Sequence, residues 1–174
     1  MLSDIQQQAI ITCLTNLDRR TERTYPWPGP NLLAILREND VEDHPDPTAR
    51  ELGVAPFAIP NDFWDQPGGP IAALCEANSA LHHPHVQATL AIASAADIRV
   101  LGWVFMHTDT VDDDELGPRQ VRRIDAVDID DRTYAITRQP DQPTASVAVY
   151  VSGENDDSRA VAILRTLARN LRTG

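Results

Sequence analysis

Three histidines and one aspartate are the residues of this chain whose types and spacing come closest to a catalytic centre. His83 and His85 are separated by a single residue, Asp97 follows them, and His107 lies further along the chain. Neutral imidazoles and a carboxylate can supply three ligands to Zn²⁺ and leave a fourth position for a water molecule that the metal acidifies. One hypothesis is therefore a metal-dependent hydrolase that uses His83, His85 and Asp97, with His107 as a further candidate ligand.

The same histidine stretch has a simpler structural interpretation, which we favour. His82, His83 and His85 surround Pro84 and follow an apolar helical pattern, which is typical of polar residues that end a helix. The JAMM metalloisopeptidase signature, His-x-His followed after seven residues by Ser-x-x-Asp, is not matched, because eight residues separate His85 from Ser94. We therefore expect no cofactor and keep the hydrolase as the alternative.

An acidic segment in the second half of the chain is the other concentration of ionisable groups. It contains five carboxylates: Asp109, Asp112, Asp113, Asp114 and Glu115. The alternating oxygens, central glycine and terminal glutamate of an EF-hand calcium loop are absent from it. We predict a solvated loop between two strands, with a docking surface for a protein of cationic character as the functional interpretation.

Two tryptophans in proline-rich segments are further candidates for partner contacts. Trp27 lies between Pro26 and Pro28, and Trp64 lies in an irregular segment with several other aromatic residues. A tryptophan in such a setting either closes the domain's own core or anchors an interface, because its apolar area is large. We favour packing and retain both residues as candidate interface anchors.

Other catalytic patterns are missing from the sequence. It has no G-x-S-x-G nucleophile elbow, no glycine-rich phosphate loop and no dinucleotide-binding fingerprint. Cys13 and Cys75 each lie within an apolar helical pattern, which predicts reduced core thiols. Whether the protein is an enzyme is left open by these patterns.

Charge disfavours two classes of partner. The 174 residues carry 26 acidic and 15 basic side chains, and the formal net charge is -11. Such an excess of carboxylates repels the phosphates of nucleic acids and of anionic membranes. The first residues lack the regions of a signal peptide, and no apolar run approaches the roughly 18 residues of a membrane span. We expect a cytoplasmic protein that forms a single domain over residues 1–174.

Hydrophobic periodicity predicts helices in the first half of the chain. Ser3 and Gln6 form a capping-box pattern before a helix that we expect to run from about Asp4 to Arg19. A short helix is predicted around Leu32–Leu36, a further helical turn after Pro47, and another helix from Pro70.

The second half predicts four strands and a final helix. The strand candidates cover residues 98–106, 119–129, 132–138 and 144–152, and short turns between them imply an antiparallel meander. The final helix carries an apolar stripe of Val161, Leu164, Leu167 and Leu171, which we expect to pack on the sheet face of Val147, Val149 and Val151. The predicted fold is α+β, with a helical N-terminal half, a four-stranded antiparallel sheet and a C-terminal helix packed on it.

These observations favour a small acidic protein of non-enzymatic character. We expect it to bind another macromolecule, most simply a protein with a cationic surface, as an accessory or regulatory subunit. The sequence also leaves open whether the protein forms a homo-oligomer.

Overall fold

The computed structural model describes residues 1–40, 50–81, 99–113, 117–140, 142–150 and 158–171. The helices among them are α1 (Asp4–Thr24), a 3-10 turn (Asn61–Asp65), α2 (Gly69–Leu81) and α3 (Arg159–Leu171). The strands are β1 (Leu32–Asp40), β2 (Arg50–Pro56), β3 (Arg99–Asp113), β4 (Gly117–Asp128), β5 (Thr133–Arg138) and β6 (Ser146–Tyr150). No helix among these residues is long and apolar enough to cross a membrane.

The strands form one antiparallel sheet in the order β2-β1-β3-β4-β5-β6. The class is α+β, but the prediction of four strands is wrong because β1 and β2 extend the sheet beyond β3. The helical N-terminal half is wrong for the same reason. The predicted short helix at Leu32–Leu36 lies in β1, and the residues that end the predicted turn after Pro47 lie in β2.

The strand β1 shows why the helical prediction failed. Leu33 and Ile35 contact the core on one side of the sheet, whereas Ala34 and Leu36 contact the core on the other. A strand covered on both faces is apolar at consecutive positions, so its sequence lacks the alternation that distinguishes a strand from a helix. The pairing partners, β2 and β3, decide the conformation.

The helix α1 covers one face of the sheet, which we call the α1 face. The predicted capping box is confirmed: Ser3 Oγ accepts from the Gln6 N–H, and Gln6 Oε1 accepts from the Ser3 N–H. The helix continues past the predicted end at Arg19 to Thr24, where Pro26 follows closely. Its buried side chains Ile10 and Leu14 pack on apolar residues of all the central strands.

The opposite face is covered by α2, the 3-10 turn and α3, and we call it the α2–α3 face. Its core consists mainly of aromatic and aliphatic side chains, including Trp64, Leu74, Trp103, Phe105, Val127 and Leu164. The strand Ile98–Met106 was expected to be central, and β3 lies between β1 and β4 in the middle of the sheet.

The C-terminal helix packs on the sheet, but not on the predicted strand. α3 contacts β3 and β4. Val147 and Val149 are the register partners of Ile136 and Tyr134, which lie in the core beneath α1, so these valines belong to the other face. They are 44% and 40% exposed. Val151 lies outside the described residues. Alternation along β6 identified one common face for the valines, but it could not identify which helix covers that face.

Candidate functional site

The outer part of the β3–β4 hairpin extends beyond the body of the sheet. Along β3, pairing with β1 ends at Met106, and along β4, pairing with β5 begins at Arg122. Among the residues that the structure describes, 109–113 and 117–121 therefore pair only with each other. At about 3.4 Å per residue, this two-stranded extension is about 17 Å long. We call these two segments the arm.

The arm carries most of the predicted acidic segment. Asp109, Asp112 and Asp113 are strand residues paired with β4, so the prediction that they form a loop is wrong. Asp114 and Glu115 lie outside the described residues. Thr108, Thr110 and Val111 are of residue types that favour strands when the segment has a pairing partner.

Side chains differ between the base and the outer part of the arm. Val121 is fully buried at the base, whereas Thr110 and Gln120 are exposed. Asp109 is partly exposed, and its Oδ1 accepts a hydrogen bond from the Thr110 N–H at 2.8 Å. Arg119 lies opposite Val111 and donates to Gln139 Oε1 at 3.3 Å. The arm is thus anchored in the core at one end and presents polar groups beyond the sheet.

His107 occupies a different environment, on the α2–α3 face and just before the arm. Its Nε2 lies 3.1 Å from Asp125 Oδ2, and its Nδ1 lies 3.2 Å from the Thr108 carbonyl oxygen. Both neighbours are acceptors, so a neutral ring can donate to only one of them. The ring stacks on Phe105 with centroids 4.7 Å apart. Both nitrogens of this buried histidine are therefore directed at protein oxygens.

Asp125 completes a small charged group with Arg123. The Arg123 Nε–H donates to Asp125 Oδ1 at 2.8 Å, so each carboxylate oxygen has a different neighbour. His83, His85 and Asp97, the other predicted metal ligands, lie outside the described residues. Within the part of the chain that the structure describes, no three histidine, cysteine or acidic side chains are grouped as a metal site would require.

A second charged cluster, on the α1 face, was not predicted from the sequence. The two oxygens of Asp18 divide between two arginines: Oδ1 accepts from Arg122 at 2.8 and 3.0 Å, and Oδ2 accepts from Arg138 at 2.5 and 2.8 Å. Asp18 and Arg122 are each 1% exposed. Glu22 Oε2 accepts a further bond from Arg122 at 2.7 Å. The hydrogen bonds and charge of Asp18 raise the pKa of the Arg138 guanidinium despite its burial.

Backbone carbonyls accept further hydrogen bonds from the arginines of this cluster. Arg122 Nη1 donates to the Pro28 carbonyl at 3.0 Å, and Arg138 Nη1 donates to the carbonyls of Gln142 and Pro143. Each group therefore has a partner within the protein, which makes the cluster a cross-link between α1 and the sheet. One sequence signal was available: Asp18 follows Ile10 and Leu14 at four-residue spacing, which places a carboxylate on the buried stripe of α1.

The two predicted tryptophan anchors are both packed within the domain. Trp64 is 3% exposed, and its ring lies 5.5 Å from that of Phe105. Trp27 is half-buried, and the Arg122 guanidinium lies 5.3 Å from its ring centroid, within cation–π distance. The interpretation of both residues as packing elements agrees with these positions.

In comparisons with known proteins, no protein family, curated protein or solved structure matches the chain. The arm, the His107 group and the Asp18 cluster therefore carry the functional argument. The last two are buried and internally paired. Of the three sites, the arm combines ionisable residues with a position beyond the body of the sheet that the structure describes.

Proposed function

We propose that this chain is a non-enzymatic cytoplasmic protein that binds a cationic surface of a partner protein through the arm. The observation that carries the proposal is the projection of β3 and β4 beyond β1 and β5. A two-stranded ribbon is at best marginally stable alone. Here Val121, buried at the base, anchors a ribbon that pairs with no further strand of the described chain and that presents the partly exposed Asp109.

Electrostatics support a cationic partner. The arm and the three residues between its strands contain five acidic side chains and one arginine, Arg119, in a chain that is already acidic. A concentrated negative charge raises the rate at which an oppositely charged surface is encountered, and it repels surfaces of like charge. The proposed role is therefore that of an accessory subunit selected by charge. The two free cysteines, Cys13 and Cys75, are consistent with a reducing compartment.

The proposal can be tested by photo-crosslinking in an extract of the native cell. A photoreactive residue replaces exposed Thr110 on the arm, and the same residue replaces exposed Thr166 on α3 as a positional control. We expect Thr110 alone to give an adduct with a basic protein, and we expect that adduct to disappear at about 1 M salt, where the Debye length is about 3 Å. An adduct that forms equally at both positions, or no salt-sensitive adduct at Thr110, overturns the proposal.

Association kinetics with the captured protein give the second test. Replacing Asp112, Asp113 and Asp114 with Asn removes three charges from the arm and the segment between its strands. This change should slow association about tenfold or more at low salt, with a smaller effect on dissociation. The matched control replaces Asp62 and Asp65 with Asn and Glu76 with Gln, which are exposed acidic residues away from the arm. Equal association rates for the two triple variants contradict arm docking.

A further inference from the structure

The outer edge of β6 lacks the charged residues and prolines that usually prevent a strand edge from pairing. Within the described part of the chain, β6 pairs with β5 on one side and with no strand on the other. Residues 142–153 contain no charged side chain, and β6 itself contains no proline. Val147 and Val149 are large apolar side chains that remain exposed on this strand. An edge of this kind is a template for pairing with another strand.

The opposite edge of the same sheet shows the usual protection. β2 begins with two exposed charged residues, Arg50 and Glu51, and ends at Pro56, which cannot donate a backbone hydrogen bond. Charge and proline are two of the devices by which natural sheets prevent edge pairing. The contrast within one sheet indicates that β6 is exposed to pairing where β2 is not.

We propose that β6 pairs with β6 of a second copy of this chain, in an antiparallel arrangement about a two-fold axis at Ala148. In this register, Val147 of one copy lies opposite Val149 of the other, and Ser146 lies opposite Tyr150. Val147 and Val149 share the α1 face, so four valines would lie together across the seam. The sheet would become twelve-stranded, and the two arms would project from it in opposite directions along the strands.

The symmetric placement of Val147 and Val149 about Ala148 points to a second copy as the occupant, because each copy offers the other the same apolar strand. Two molecules of net charge -11 repel each other over most of their surfaces, so self-association needs a contact without carboxylates. β6 provides such a contact, and its own sequence also provides the matching valines. A cationic partner would gain no ion pair at this strand, which separates this surface from the arm in the proposed function.

The extent of the contact predicts a reversible dimer. A seam of five residues per copy is short compared with the standard interfaces of stable complexes, which bury about 1,200–2,000 Å² in total. We therefore expect a monomer–dimer equilibrium with a dissociation constant in the range of about 10 µM to 1 mM. Sedimentation velocity of the full chain across that concentration range measures it directly.

Variants of the two valines test the register. Replacing Val147 and Val149 with Lys makes each copy less acidic, which weakens overall repulsion, yet it places like charges opposite each other in the seam. We expect the dissociation constant to rise by about tenfold or more. Ile5→Lys, at an exposed apolar residue of α1, is the control and should leave dimerisation unchanged or slightly stronger. Circular dichroism and thermal melting verify that the variants fold.

A mixing experiment distinguishes β6 pairing from other self-association. A second variant carries Glu at both valine positions, so that each Lys of the first variant faces a Glu in the proposed register. Neither variant should dimerise alone, and an equal mixture should form a heterodimer. A wild-type chain that is monomeric at about 1 mM, or a dimer that persists in the double-lysine variant, overturns the proposal. Failure of the mixture to associate would overturn the register about Ala148.

Discussion

Arg122 and Arg123 are neighbours on β4, yet their side chains take part in two different kinds of interaction. Arg122 points to the α1 face and binds Asp18, which lies 104 residues earlier in the chain. Arg123 points to the α2–α3 face and binds Asp125, two residues later on the same strand. Strand alternation thus assigns one arginine to a tertiary cross-link and the other to a local pair. We therefore expect the partner of Arg122 to contribute more to the free energy of unfolding than the partner of Arg123.

The strongest test of this difference is the removal of the carboxylate that holds Arg122. Asp18→Ala leaves two buried guanidinium groups, Arg122 and Arg138, without their central anion. Breaking a buried pair on one side costs about 3–5 kcal/mol, so we expect a loss of that size in the free energy of unfolding from urea titration.

Glu22→Gln is the control for the Asp18 variant. Glu22 binds the same arginine, but its side chain is 44% exposed, and a partly exposed ion pair contributes at most about 1 kcal/mol. A cost below about 1 kcal/mol for Asp18→Ala would show that water or a rearranged Glu22 replaces the lost carboxylate.

The α2–α3 face can be tested with Leu164, a residue of α3 that is fully buried in the core of that face. Leu164→Ala should destabilise the protein by about 2–5 kcal/mol, the range for truncating a large side chain in a packed core. The exposed neighbour Thr166→Ala serves as the reference for helix propensity. If Leu164→Ala lowers the free energy of unfolding by less than about 0.5 kcal/mol, α3 does not pack on β3 and β4.

The local pair on β4 should respond less strongly than the cross-link. His107→Phe retains an aromatic ring next to Phe105 but deprives Asp125 of one of its two neighbours. Leaving a buried acceptor less satisfied costs about 1–3 kcal/mol, and we expect the unfolding free energy to fall by that amount. A loss equal to that of Asp18→Ala would contradict the distinction between the two clusters.

The smallest expected effect concerns a charged pair at the surface, in the turn after β4. Burial tends to raise the pKa of Asp130, but the Leu2 N–H, the N-terminal ammonium group and Arg132 outweigh it, so the pKa is lowered overall. A carboxyl whose pKa is lower in the folded state contributes stability above its unfolded pKa, and this contribution is lost as the pH falls through the folded value.

Asp130→Asn should therefore reduce the acid dependence of the melting temperature between about pH 5 and the folded pKa. The variant and the wild type should converge at the acid end of the titration. An identical slope for both proteins would show that Asp130 is equally protonated in the folded and unfolded states.

Local signals in the sequence predicted much of the second half of the molecule. The four predicted strands overlap β3 to β6, and Val161, Leu164 and Leu167 of the predicted stripe on α3 are buried. These elements are bounded by short turns and caps that act within a few residues. β1 was missed because a strand buried on both faces has no periodic pattern, and because its partner β3 is distant in sequence.

The candidate site was predictable to a similar extent. The sequence identified the acidic residues of the arm, but the extension of β3 and β4 past their neighbours depends on where β1 and β5 stop pairing. Asp18 could be placed on a buried stripe, whereas its two arginine partners could not, because they come from separate strands. Ion-pair partners that are distant in sequence depend on the topology of the sheet, and local residue spacing does not reveal them.

The cross-link through Asp18 also has a consequence for the order of folding. The hairpins from β3 to β6 close short loops, but Asp18 must find Arg122 and Arg138 across 104 and 120 residues. Closing long loops costs more entropy and slows folding, so we expect the meander to pair first and α1 to dock last. Until then, two arginines lie uncovered on the sheet face. Pulse-labelling hydrogen exchange should therefore protect the amides of β4 and β5 before those of α1, and simultaneous protection would refute this order.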